Sequence, residues 1–189
     1  FHSDVDQLEY RKNSYDFVFN QCKRHDVNFF SNFEGSEESF LNIGSEELTS
    51  EQQMREARYE YFSNLLNEQG FDFVVLAHHQ EDLFETRMLR LIRGTGPEGL
   101  AAMNFISDQK MRPLLDVSKM DLKDFLNHKE GEFLEDPSNE KDQYLRNWLR
   151  NHWLPSLEEK VPGGTQSIHR SLDLLVRSLG QSANLDSYV

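Results

Sequence analysis

Apolar residues near the start of the chain recur at spacings of three and four: Val5, Leu8, Tyr15, Val18, Phe19 and Cys22. That period marks one face of an α-helix and predicts a helix over residues 5–25. Val27 to Phe30 is a short apolar run suited to a strand, and residues 31–50, rich in Ser, Asn, Gly and Glu, predict a long loop. The helical period resumes after Ser50, a capping residue, through Met54, Ala57, Tyr61 and Leu65 to about Glu68, and Gly70 is placed to stop it. Phe71 to Ala77 is continuously apolar apart from Asp72, which predicts a strand buried on both faces of a parallel sheet. A helix from about Gln80 to Ile92 follows, ended by Gly94 and Gly96. Met111 to Leu115 predicts another strand, Ser118 a cap for a helix over Lys119 to Asn127, and Glu132 to Leu134 a short extended piece. Tyr144 to Leu154 predicts a helix with Pro155 beyond its end, and after Pro162-Gly163-Gly164 a last helix runs to about Leu179 with Ile168, Leu172, Leu175 and Leu179 on one stripe. Helices alternating with apolar strands predict an α/β fold built on a sheet.

Composition narrows this picture. A length of 189 residues suits one good domain, or one domain with a helical appendage. No apolar run approaches a membrane span, so no membrane partner is expected. A single cysteine, Cys22, allows no disulfide within these residues and no multi-cysteine metal site; a small core residue in a cytoplasmic protein is expected. The net charge of -13 argues against a general nucleic-acid coat, because such binding comes mostly from Lys and Arg on phosphates. Bases cluster locally all the same, at Arg87, Arg90 and Arg93 and again at Arg146 and Arg150. Taken alone, Arg87 and Arg90 read as a solvated helix face.

Candidate chemistry concentrates in Ala77-His78-His79-Gln80-Glu81-Asp82-Leu83-Phe84-Glu85-Thr86, where an expected strand gives way to a helix. Ligands of open α/β sheets bind at that edge. Asp82 and Glu85 stand one turn apart on one helix face, with His78 at the strand end above them. One histidine and two carboxylates can coordinate a metal, hold an ammonium group or move protons. Spacing alone favours a plainer reading, in which His78 caps the helix and the two acids complement its dipole. Next, Arg93 with Gly94, Gly96 and Gly99 could bring backbone amides to an anion, although a two-glycine helix stop is the commoner use. Arg55 and Arg58, one turn apart, could hold phosphates or pair with neighbouring acids such as Glu51. Arg146, Asn147 and Arg150 share a helix face that an anion or an acidic neighbour would satisfy, and Glu135-Asp136-Pro137-Ser138-Asn139 reads as a turn.

The order of these motifs resembles one family. Arg55-Glu56-Ala57-Arg58-Tyr59, Ala77-His78-His79 with Asp82 and Glu85-Thr86, and Leu89-Arg90-Leu91-Ile92-Arg93-Gly94-Thr95-Gly96 with Gly99-Leu100 and Met103 look like the tRNA(Ile)-lysidine synthetases. So do Arg112-Pro113-Leu114-Leu115, Lys119 with Asp121-Leu122, Glu135 to Asn139, and Tyr144-Leu145-Arg146-Asn147 with Arg150. The resemblance is close over residues 51–158 and looser over 1–30.

That family belongs to the PP-loop ATP pyrophosphatases, so the resemblance implies a Rossmann-like parallel sheet with a C-terminal helical extension. It implies residues 1–158 as the ATPase-like core and 159–189 as the start of a helical linker. The activity implied is adenylation by ATP of the wobble cytidine of an isoleucine tRNA, followed by attack of lysine to form lysidine. ATP and Mg²⁺ are the implied cofactors, isoleucine tRNA and L-lysine the partners, and a homodimer is admitted. His78, Asp82 and Glu85 become the catalytic set, with Asp82 and Glu85 also candidate metal ligands. Arg55, Arg58, Arg93, Gly94, Gly96, Arg146, Asn147 and Arg150 become phosphate contacts. The chain departs from the family at Glu81, where Asp is usual, and in its long acidic segment from Ser31 to Ser50. The Ser-Gly-Gly-x-Asp-Ser phosphate loop is not among these residues; it is expected upstream in the natural protein, and the chain alone is expected to be inactive. A tRNA 2-thiocytidine-type enzyme of the same superfamily, or a non-catalytic tRNA- or protein-binding relative, is the alternative.

Overall fold

The computed structural model describes residues 4–31, 51–137 and 144–185. The chain divides into two compact units, Phe1–Asp72 and Phe73–Val189. The first holds α1 (Asp4–Arg24) and α2 (Glu51–Gln69). Asp26 takes a left-handed φ of 54°, and Val27 N donates to Cys22 O at 2.9 Å, closing the end of α1. The turn folds the next residues back on the helix, so that Phe29 meets Tyr15 and Phe19 edge to face at 5.2 and 5.7 Å. Val27 to Phe30 is therefore irregular chain held by ring contacts, not the expected strand. Cys22 is half-buried. Gly70, at φ 69°, ends α2 as expected. The expected loop over 31–50 lies, beyond Ser31, outside the described residues.

The second unit carries β1 (Val74–Val75), α3 (Gln80–Arg93), α4 (Pro97–Ala101), β2 (Ile106–Ser107), β3 (Lys110–Met111), α5 (Lys119–His128), α6 (Leu145–Trp148), α7 (Leu154–Lys160) and α8 (Gly164–Leu185). The sheet is small and mixed, in the order β1-β3-β2. β1 runs parallel to β3 with Val74 opposite Lys110, while β2 and β3 form an antiparallel hairpin. Two expectations are corrected. The run from Phe71 to Ala77 is neither long nor buried as a strand: two residues pair, and Val75 is 64% exposed at an outer position of the sheet. Met111 to Leu115 leaves the ladder at once, because Pro113 cannot donate to it and a turn over residues 113–116 follows.

Pro155 does not end the preceding helix. Between α6 and α7, residues Leu149–Trp153 form a π-helical turn, and the chain passes through Pro155 in the first turn of α7. A widened turn relieves the clash between the proline ring and the carbonyls before it. Phe84, Met88, Leu100, Leu149 and Leu172 form the core of this unit, with Trp153, Leu154, Ile168 and Val176 packed around them. Leu149, at the start of the π turn, is wholly buried. No helix among the described residues is long and apolar enough to cross a membrane.

Candidate functional site

The junction of β1 and α3 builds the site. Gln80 N donates to Val117 O at 3.0 Å, anchoring the helix start. His79 is the N-cap; its backbone N–H donates to Asp82 Oδ2 at 3.0 Å, and its Nδ1 lies 2.9 Å from Glu81 Oε2. Glu81 also accepts from Lys119 N at 2.9 and 3.1 Å, so it closes the N-terminus of α5 while sitting in the first turn of α3. Ser118 completes that cap by accepting from Asp121 N. Two helix starts are thereby bound together at one edge of the sheet.

One turn further along α3, Glu85 is 1% exposed. Arg150 grips it with both arms, Nε to Oε1 at 2.7 Å and Nη2 to Oε2 at 2.8 Å. Arg146 Nε stands 3.6 Å from Oε2, and its Nη2 donates to Thr86 Oγ1 at 2.8 Å. Asp82 Oδ1 lies 3.9 Å from Arg150 Nη2. The hydrogen bond to Glu85 holds the Arg150 guanidinium above its ordinary pKa against the desolvation that opposes it. Two guanidiniums thus share one buried carboxylate, with Asp82 at the margin. Asn147, next to Arg146 in α6, is buried as well.

Of the residues singled out in the sequence, Asp82, Glu85, Arg146 and Arg150 come together. His78 is half-buried directly before the cap. Arg93, Gly94 and Gly96 lie at the opposite end of α3, about 17 Å along the axis from Asp82 at 1.5 Å per residue. There Gly94 adopts φ 78° as the helix stop. Arg55 and Arg58 are exposed on α2 in the first unit, Arg55 5.1 Å above the Tyr59 ring. Glu135 pairs with Lys123 at 2.9 Å; Ser138 and Asn139 of the expected turn lie outside the described residues.

The solvent reading of Arg87 and Arg90 is overturned. Arg87 is 5% exposed, donating to Leu100 O at 3.0 Å and to Asp173 Oδ1 at 2.5 Å. Arg90 Nη1 donates to Gly99 O at 2.6 Å. Both donate to carbonyls in the last turn of the short α4, where Gly99 O also accepts from Ala102 N at 3.1 Å. His79, Thr86, His169 and Asp173 are further partners in these contacts that the sequence pattern does not single out. Only the i, i+4 spacing of His169 and Asp173 hinted at the last pair. A cavity of about 700 Å³ adjoins the cluster, with Gln80, Phe84, Met120, Arg150, Leu154 and His169 in its wall.

Residues 9–157 match the PP-loop domain family. Over 178 residues, 94% of the chain, the sequence is 40% identical to a tRNA(Ile)-lysidine synthase of Bdellovibrio bacteriovorus and covers 53% of it. A tRNA(Ile)-lysidine synthase of Legionella pneumophila is 41% identical over 64% of the chain, covering 28% of that protein. One of Clostridium tetani is 29% identical over 90% of the chain, covering 34% of it. The chain spans about half, or less, of the length of these relatives. Among solved structures, a U34-tRNA thiolase from Methanococcus maripaludis superposes with a TM-score of 0.60 at 15% identity, over 88% of this chain and 57% of that one. At that identity the likeness is one of fold.

Proposed function

The chain belongs to the PP-loop domain family, and on that premise we propose that it is part of a tRNA(Ile)-lysidine synthase, a ligase that uses ATP to join lysine to the wobble cytidine of an isoleucine tRNA in the cytoplasm. The observation that carries this reading is the buried Glu85–Arg150 pair, flanked by Asp82 and Arg146, at the N-terminal end of α3. It gathers into one place motifs that lie 65 residues apart in sequence.

The residues present suit ATP in one respect. Arg146 and Arg150 stand together at the buried carboxylate, and a guanidinium is a planar donor suited to hold a phosphate bidentately. Mg²⁺ has a poorer donor set here. Among the described residues no three His, Cys, Asp or Glu side chains are placed so that they could hold a metal ion. Both oxygens of Glu85 are bonded to Arg150, which leaves Asp82 as the available carboxylate. A Mg²⁺ carried by the phosphates, touching the protein at Asp82, fits the habit of this ion better than a protein cage.

In this reading Asp82 meets the lysine ammonium or that Mg²⁺, Glu85 fixes Arg150, and His78 contacts the adenylate or helps remove the proton of the amine. An ammonium is no nucleophile, so its proton must leave before nitrogen attacks the adenylated carbon and AMP departs. Arg55, Arg58, Arg93, Gly94, Gly96 and Asn147 serve as further contacts to ATP or tRNA phosphates. We take residues 1–158 as the core of this machinery and residues 159–189 as the beginning of a helical connection.

The test is lysidine formation by the natural full-length protein given ATP, L-lysine and an isoleucine tRNA with a wobble cytidine, read by nucleoside mass spectrometry. Pyrophosphate exchange should require the tRNA. Sulfur incorporation in place of lysine would assign the thiolase-type alternative; tRNA binding without either product would assign a non-catalytic relative.

A further inference from the structure

On either side of Glu85 in sequence, Phe84 and Arg87 of α3 carry a second set of contacts, to α8. Arg87 donates to Asp173 Oδ1 on α8, and the other oxygen of Asp173 lies 3.2 Å from His169 Nδ1, one turn earlier on that helix. The His169 ring stacks on Phe84 with centroids 5.7 Å apart and planes 22° from parallel. His169 Nε2 is buried with no hydrogen-bond partner among the described residues, so the ring's one directional contact is to Asp173. Phe84 immediately precedes Glu85, and Arg87 follows it by two. Helix α8 therefore holds α3 on both sides of the carboxylate that binds Arg150.

Apolar packing is non-directional and resists rotation of a helix about its own axis only weakly. A guanidinium–carboxylate pair is directional. At a radius of about 6 Å, a roll of about 20° would move the Glu85 carboxylate by roughly 2 Å, enough to break both bonds to Arg150. The core around Phe84, Met88, Leu149 and Leu172 sets the distance between the helices. It does not by itself set this angle.

We infer that Asp173 and His169 are positioning residues, which with Arg87 fix the roll of α3 and so the placement of Glu85 and Arg150. The kinetic form of this inference rests on the lysidine synthase reading; the geometric form does not. Because α8 follows the site in the chain, any displacement of α8 would reach the Glu85–Arg150 pair through these contacts.

The experiment is a double-mutant cycle in the natural full-length protein, pairing Asp173→Asn with Arg150→Lys, residues that do not touch. We expect kcat/KM for lysine to fall about tenfold in Asp173→Asn and about a hundredfold in Arg150→Lys. The double variant should lose much less than the product, because roll no longer matters once the Arg150 fork is gone. A merely structural Asp173 gives multiplicative losses, and that result overturns the inference, as does an unchanged kcat/KM in Asp173→Asn. His169→Phe, which keeps the stack and removes the bond to Asp173, carries the same cycle if Asp173→Asn does not fold. If the full-length protein makes no lysidine, the functional reading falls. The cycle is then read in the urea unfolding constant, where a multiplicative result equally overturns the inference.

Discussion

Glu85 and Arg150 meet through two parallel hydrogen bonds of 2.7 and 2.8 Å, and the carboxylate between them is almost wholly out of water. The fork of Arg150, with Arg146 3.6 Å away, brings guanidinium charge against this buried carboxylate and satisfies both of its oxygens.

Arg150→Ala should therefore destabilise more than Glu85→Gln. Removing one partner of a buried pair typically costs about 3–5 kcal/mol, because the other charge is stranded. Arg150 retains 29% side-chain exposure, so water reaches its end of the pair and the lower figure applies. Glu85→Gln leaves a guanidinium that solvent can partly serve. Urea unfolding of both variants checks the order, and a larger loss in Glu85→Gln would contradict this account of the pair.

How much of this was legible beforehand depended on the range of the interaction. Helix α3 was readable because its signals are local: a strand end, two acids in the first turn and a glycine at φ 78° to stop it. Asp82 and Glu85 were readable for the same reason, since i, i+3 spacing fixes a shared face. No local rule says which of several arginines reaches Glu85, and Arg87, in the same helix, was misplaced onto solvent because α8, which covers it, begins 77 residues later. The run from Phe71 to Ala77 has the composition of a central strand, but composition cannot say how many neighbours the sheet provides. Pro155 reads as a helix end because the π turn that accommodates it has no sequence signature.

Arg87→Ala should cost about 2–3 kcal/mol, the range for removing a charged group from buried hydrogen bonds. It removes the pair to Asp173 and leaves Leu100 O without that donor. Arg93→Ala, at an exposed position in the same helix, should change stability by less than about 0.5 kcal/mol. Equal urea midpoints for the two variants would restore the solvent reading of Arg87.

Asp82→Asn separates structure from chemistry at the helix start. Asparagine keeps an oxygen able to accept from His79 N, the 3.0 Å bond now made by Oδ2, and so preserves the cap. It removes the charge that the proposed mechanism needs near the amine or metal. The melting temperature should stay within a few degrees while lysidine formation falls by at least about a hundredfold. Near-normal activity in a variant that melts earlier would make Asp82 a capping residue and nothing more.

The last prediction concerns acid. Glu158 accepts from Gly163 N at 2.5 Å and from Thr165 N at 3.3 Å, joining the end of α7 to the start of α8. These backbone bonds, with the Thr165 side chain, hold its pKa below the ordinary 4.5. A carboxyl whose pKa is lowered by folding contributes stability that is fully present above its unfolded value and is lost as pH falls through the folded one. The unfolding free energies of the natural protein and of Glu158→Gln should therefore differ at pH 6–7 and converge as pH drops below 4.5. Because Glu158 is exposed, added salt should narrow the same gap at neutral pH. A gap that stays constant from pH 7 down to pH 3 would mean that the charge of Glu158 does no work at the start of α8, and that its contribution is only the shape of the turn.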